Sequence, residues 1–176
     1  MPEDEAGLAE RAARLAEEIA ERLLARGETV AIAECTAGGL IAHTLSNIPG
    51  SSRWFLGSIV PYHRRPKIEM LGVPADLLAQ EGSVSAAVVE ALARGVRERM
   101  GATWGLAESG TAGPQTGRRS AKPAGETYVA VVGGPTGALV VQSRHMQGPD
   151  RGRVANKWAF AVAALELLTE VLQAER

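Results

Sequence analysis

Aromatic side chains are scarce in this chain: two Phe, two Tyr and three Trp make up 4% of its 176 residues. Proteins that hold single-stranded nucleic acid stack its bases on such rings, so that class of function is disfavoured. A basic surplus is missing too, with 19 Lys and Arg against 20 Asp and Glu and a net charge of −1. Displacing counterions from a phosphate backbone needs such a surplus, and no nucleic-acid partner is expected. A single cysteine forms no internal disulfide and cannot alone hold a structural zinc. The three histidines, His43, His63 and His145, are dispersed without metal-ligand spacing, so no metal is expected. No apolar run approaches the roughly 20 residues that span a bilayer. The acidic start Met1-Pro2-Glu3-Asp4-Glu5 is unlike a signal peptide. These absences predict a soluble, cytoplasmic chain with no membrane partner.

What is present is an ordinary globular composition, 45% apolar and 22% charged. The length fits a single domain, expected over residues 1–176. Leu8, Ala12, Leu15, Ile19 and Leu23 recur at helical spacing, predicting a helix from about Asp4 to Ala25 that stops at Arg26-Gly27. Thr29 to Ala33 reads as a buried strand, Glu34 to Gly39 as a tight small-residue turn, and Leu40 to Leu45 as a helix. A second strand is expected from Trp54 to Tyr62, and a helical stretch around Ala75 to Gln80. Ser85 is placed to cap a long helix reaching about Met100. A third strand spans Ala102 to Glu108, ending in the turn Ser109 to Pro114 and an exposed loop from Gln115 to Lys122. Thr127 to Val132 and Ala138 to Arg144 read as a hairpin joined through Gly133 to Gly137, followed by a helix from about Arg151 to Ala174. Strands that first alternate with helices and then pair as a hairpin predict an α/β fold: a layered α/β/α sandwich with a mixed sheet.

Chemistry is expected at the two strand-end turns, Glu34 to Gly39 and Ser109 to Pro114, where glycines let a ligand approach the backbone. Neither turn matches the G-x-x-x-x-G-K-[ST] phosphate loop or the G-x-G-x-x-G dinucleotide fingerprint, which disfavours a nucleotide triphosphatase or a Rossmann dehydrogenase. Cys35 is the only thiol. A lone cysteine is commonly an inert small core residue, but a strand end before a helix is where a thiol can be activated. The run Pro61-Tyr62-His63-Arg64-Arg65-Pro66-Lys67 is either a solvated basic turn or the route by which Tyr62 or Lys67 reaches a reacting group. His43, inside an apolar helix, reads as a core or interface residue.

Taken in order, these segments resemble one family. Ala33-Glu34-Cys35-Thr36-Ala37-Gly38-Gly39-Leu40 is similar to the A-E-S-x-T-G-G loop of the CinA C-terminal-domain family, the nicotinamide-nucleotide amidohydrolases. Pro49-Gly50-Ser51-Ser52, Tyr62 with Lys67 five residues on (family Y-S-N-x-x-K), Leu71-Gly72-Val73 and Gly82-Ser83-Val84-Ser85 follow in register. So do Ser109-Gly110-Thr111-Ala112-Gly113-Pro114 (family T-G-I-A-G-P), Lys122-Pro123-Ala124-Gly125 (family K-P-V-G) and Gly148-Pro149-Asp150-Arg151, which resembles G-D-R with one residue extra. Cys35 stands where the family has its serine, Thr36-Ala37 replaces x-Thr, and His63-Arg64 replaces Ser-Asn. Gln115-Thr116-Gly117 falls where the family usually has glycines.

The resemblance implies a single α/β sandwich that often self-associates, so a homo-oligomer is expected, with a dimer favoured. It implies hydrolysis of the carboxamide of nicotinamide mononucleotide to nicotinate mononucleotide and ammonia, a step in pyridine-nucleotide salvage, without a cofactor. Carried over by position, the catalytic residues are Cys35 as nucleophile with Lys67 and Tyr62 handling protons. Glu34, Thr36, Gly38, Gly39, Arg64, Gly110, Thr111, Ala112 and Gly113 are the expected substrate-binding set. Within it, N–H groups near Gly38 and Gly39 would hold the oxyanion, and the Gly110 to Gly113 loop with Thr111 would cradle phosphate or ribose. Arg64, Arg65 or Lys122 would add charge there. The serine-to-cysteine replacement leaves two other readings: a catalytically retired module that binds a pyridine nucleotide or a protein partner, and hydrolysis of a different small amide.

Overall fold

The first helix starts where the Asp4 side chain accepts a hydrogen bond from the Gly7 N–H and stops at Gly27 in the left-handed conformation. In the computed structural model, which describes residues 3–114, 122–135 and 139–175, this is α1 (Glu5–Arg26). It is followed by β1 (Val30–Glu34), α2 (Leu40–Ser46), β2 (Phe55–Ile59), α3 (Arg64–Leu71), α4 (Ala75–Gln80) and α5 (Ala86–Met100). The chain continues through β3 (Trp104–Thr111), β4 (Glu126–Gly133), β5 (Val140–Gln147) and α6 (Arg153–Ala174). The strands form one sheet in the order β2-β1-β3-β4-β5. β1 runs parallel to both β2 and β3, whereas β3 with β4 and β4 with β5 are antiparallel. The mixed sheet matches the order of elements: helices lie between the early, parallel strands, whereas the late strands pair antiparallel with their neighbours in sequence.

Side-chain alternation along the strands divides the interior into two cores. Val30, Ile32, Trp104, Leu106, Val129 and Val131 face α1, α2 and α6. The opposite face carries Ala31, Ala33, Ala107, Ala130 and Val132 and packs on Val88, Val89, Leu92, Ala93 and Val96 of α5. Its alanine lining lets α5 lie close against the strands. Leu71, Val73 and Leu78, from α3 and the segment after it, complete that layer. Among the described residues no helix is long and apolar enough to cross a membrane.

Several expected boundaries move. The second strand ends at Ile59, short of Tyr62, because Pro61 has no N–H for the ladder. The basic run after it is a helix, α3. His63 accepts the Arg65 N–H at its start, and Pro66 sits in the first turn, where an N–H is not needed. β3 continues to Thr111, so half of the turn expected at Ser109 to Pro114 is strand. His43 is exposed on α2, not a core residue, since Ile41, Thr44 and Leu45 form the buried face of that short helix. Gln115-Thr116-Gly117 and residues 136–138, within the expected turn from Gly133 to Gly137 and the strand start at Ala138, lie outside the described residues.

Candidate active site

The parallel pairing of Glu34 with Glu108 brings the turns after β1 and β3 side by side at the carboxyl edge of the sheet, where open α/β sheets bind ligands. Cys35, the first residue past β1, is 4% exposed, and its N–H donates to the Glu108 carbonyl at 3.0 Å. It packs in the α5-side core, and there it meets Lys67 of α3. Lys67 is 2% exposed; its Nζ lies 3.1 Å from Cys35 Sγ and also donates to the Pro61 carbonyl. Burial pushes the Cys35 thiol up to about 11, with Lys67 pulling the other way and Glu108 adding to the rise. Two of the three expected catalytic side chains therefore stand in contact, out of water.

Tyr62 stands apart from that pair. It is 61% exposed, and its hydroxyl accepts a hydrogen bond from Arg153 Nη2 at 2.7 Å. Arg153 Nη1 donates to the Gly113 carbonyl at 2.7 Å. Since β1 lies between β2 and β3, this guanidinium bridges residues on either side of the Cys35 turn. Arg64 is exposed and donates to the Ala75 carbonyl; Arg65 pairs with Glu69, and Lys122 with Glu126.

The turn itself is held from below by two fully buried carboxylates. Glu34 Oε2 accepts from the N–H groups of Gly39 (2.8 Å) and Ile41 (3.0 Å), and Oε1 from Ala42 N–H (3.0 Å) and Ser58 Oγ (2.9 Å). Glu108 Oε2 accepts from Thr36 N–H (2.9 Å) and Ala37 N–H (2.8 Å), with Thr127 Oγ1 at 3.4 Å from Oε1. Burial pushes the Glu108 carboxyl up to about 7, against the hydrogen bonds from Ala37 and Thr36. Of the two glycine N–H groups expected at an oxyanion, Gly39's is thus occupied by Glu34, while Gly38's has no partner among the described residues. Gly38 adopts φ +65°, and a Cβ there would lie 3.4 Å from Lys157 Nζ.

The second loop is equally engaged with the protein. Thr36 Oγ1 donates to the Gly110 carbonyl at 2.7 Å and accepts the Gly110 N–H at 2.9 Å, clasping the two strand ends together. A Cβ on Gly110 would collide with the Glu126 carbonyl and the Phe160 ring at 2.7 and 2.8 Å, so this glycine serves close packing. The Ala112 carbonyl accepts from Asn156 Nδ2, and the Thr111 carbonyl from the Gly125 N–H. Sequence reasoning missed Arg153, Asn156 and Lys157, all on α6. Their signal was Arg153 and Lys157 at i,i+4 spacing, the only basic residues of the helix and both in its first two turns, ahead of the long apolar run that follows.

Fold and site together define an α/β protein whose mixed sheet presents a buried thiol–amine pair at a strand-end turn. It belongs to the CinA family: the model of the CinA C-terminal domain matches residues 12–172. A CinA-like protein of Synechococcus sp. is 41% identical over 146 residues, covering 83% of this chain and 33% of its own length. Another, from Desulfosudis oleivorans, is 42% identical over 168 residues, covering 96% and 38%. The chain thus spans little more than a third of the curated relatives it matches. Among solved structures, the competence/damage inducible protein CihA of Agrobacterium tumefaciens aligns with a TM-score of 0.84 at 33% identity, over 93% of this chain and 96% of that one. A CinA superfamily protein of Klebsiella pneumoniae gives 0.81 at 28%, over 93% and 98%.

Proposed function

We propose that this chain hydrolyses the carboxamide of nicotinamide mononucleotide to nicotinate mononucleotide and ammonia, with Cys35 as nucleophile and Lys67 as its base. The observation that carries the reading is the buried contact of 3.1 Å between Lys67 Nζ and Cys35 Sγ at the end of β1. A thiol held protonated by burial is a poor nucleophile until a neighbouring amine takes its proton, and Lys67 is the amine in reach. Transfer of the proton to Lys67 as sulfur attacks the carboxamide carbon gives a tetrahedral oxyanion, met by the Gly38 N–H. Lys67 then returns the proton to the departing nitrogen, releasing ammonia and leaving a thioester on Cys35. Water attacks the thioester through the same base, giving the acid and restoring the thiol. One water is consumed and one ammonia released, and the sum needs no redox partner.

Incubation of the purified chain with nicotinamide mononucleotide, with ammonia and nicotinate mononucleotide quantified, tests the reading. Turnover should vanish in Cys35→Ala, and mass spectrometry of the native chain quenched during turnover should find the acyl adduct on Cys35. Undiminished turnover in Cys35→Ala removes the thiol from the mechanism. Ligand-induced thermal stabilisation without product would instead favour a retired binding module.

A further inference from the structure

Two cations on the first turns of α6 are left uncancelled beside the nucleophile turn. Arg153 is fixed in place by the Gly113 carbonyl and the Tyr62 hydroxyl, both neutral oxygens, so its charge is oriented without being neutralised. Those two bonds use two of the five N–H donors of the guanidinium, and three remain. Lys157, one helical turn on, places its Nζ against Gly38 and has no hydrogen-bond or ion-pair partner among the described residues. The carboxylates close by are committed elsewhere. Asp150 accepts from the Gly152 N–H and from Asn156 Nδ2, while Glu34 and Glu108 are bound to backbone N–H groups beneath the turn. Meanwhile the Gly110 backbone, the expected phosphate cradle, is closed off by Thr36.

We infer that Lys157 and Arg153 form an anion-recognition site that holds the phosphate monoester of the substrate over the Cys35 turn. The inference rests on the reading above for the substrate's identity, but not for the existence of the site. A phosphate offers acceptors to the ammonium and to the free edge of the guanidinium together, and charge-assisted bonds of this kind are the strong ones. The turn that carries the nucleophile thereby also sets the distance between the amide and the charged end of the nucleotide. It follows that the chain discriminates a nucleotide from the corresponding nucleoside mainly through α6.

The probe is ribose 5-phosphate, which carries the phosphate but no amide, with binding followed by titration calorimetry. The wild-type chain should bind it, and Lys157→Ala should raise Kd about 10- to 100-fold, the loss of one hydrogen bond to a charged group. Lys157→Arg, which keeps the charge, should restore most of that binding. Ribose itself should not bind measurably. In turnover, the ratio of kcat/KM for nicotinamide mononucleotide over nicotinamide riboside should collapse by a similar factor in Lys157→Ala. Absence of ribose 5-phosphate binding, or binding indifferent to Lys157→Ala, overturns the site even if the amide is hydrolysed. A fall in kcat at unchanged KM on both substrates would place Lys157 at the oxyanion instead, and also overturns it. Binding that depends on Lys157 in a chain that releases no ammonia would leave the anion site standing and remove the amidase reading.

Discussion

Two buried polar pairs lie back to back across the end of β1, and they are built on opposite principles. On the α2 side, Glu34 and Glu108 are saturated by donors of the protein itself: three backbone N–H groups and a hydroxyl for one, two N–H groups and a more distant hydroxyl for the other. On the α5 side, Cys35 and Lys67 meet each other, with the Pro61 carbonyl accepting from Lys67 and the Ser109 side chain hydrogen-bonded to the thiol. A carboxylate wrapped in fixed donors has no freedom left and holds a shape. A thiol and an amine in contact, the thiol also within reach of the Ser109 hydroxyl, can pass a proton between them. Both pairs are charges or potential charges out of water, yet one is fixed by surrounding donors and the other, on the function proposed above, serves proton transfer.

Removing the amine should separate the two pairs most sharply. Lys67→Met keeps most of the length and the apolar stem but not the amine, so on the proposed amidase function kcat/KM should fall about 10³-fold, within the range of a lost general base. The Pro61 carbonyl loses its donor, so the melting temperature should drop by only a few degrees. A fall in rate below tenfold would mean that the thiol works without Lys67.

Next in size is a pH effect from the architectural pair. The Glu108 carboxyl is raised to about 7 by burial, so between its unfolded value near 4.5 and 7 the folded chain binds more protons than the unfolded one. Its contribution is therefore complete below about pH 4.5 and is lost as pH rises through 7, a swing on the order of 3 kcal/mol. Glu108→Gln should erase that slope, matching the wild type in acid and exceeding it at pH 8, with thermal denaturation across pH as the measurement. An unchanged slope in Glu108→Gln would assign the titration to another group.

The same substitution at the other carboxylate should act differently. A glutamine at 108 can keep its oxygen toward Thr36 and Ala37 and turn its amide to the Thr127 hydroxyl, which is free to accept. At Glu34 every position around the carboxyl is a donor, three of them backbone N–H groups that cannot reverse. Glu34→Gln should therefore cost about 2 kcal/mol, the penalty of a buried N–H left without an acceptor, at any pH. Equal tolerance of glutamine at both positions would show that the donor count does not set the cost.

Much of this architecture was readable from residue pattern, and the misses share a physical cause. Helices with a clean apolar stripe, α1 and α5, and the strand β1 emerged within a residue or two of their limits; the antiparallel return of β4 and β5 emerged too, with β5 running three residues past its expected end to Gln147. α3 did not, because it begins Arg-Arg-Pro-Lys and its largest buried side chain is a lysine, the residue type least expected inside. Cys35 and Lys67 were singled out from a turn position and a family resemblance. Their contact joins residues 32 apart, which no local spacing encodes. Glu34 and Gly110 were read as ligand groups because a polar residue at a strand end and a glycine in a loop look alike whether they face a substrate or the protein's own backbone. Only the placement of α2 and Thr36 shows which.

The smallest effect tests the seam between the two regions. Thr36 donates to and accepts from Gly110, and its N–H rests on Glu108, so its hydroxyl ties the Cys35 turn to the end of β3. Thr36→Val keeps the shape and removes the clasp, leaving one carbonyl and one N–H of Gly110 without their protein partner. Stability should fall by about 1 to 2 kcal/mol. If the turn's rigidity is what aims Cys35 at Lys67 and Lys157 at the substrate, kcat should fall several-fold while ribose 5-phosphate binding weakens in parallel. A loss of stability with both kinetic and binding constants untouched would mean that the two carboxylates alone fix the turn, and that the clasp serves only to join the strands.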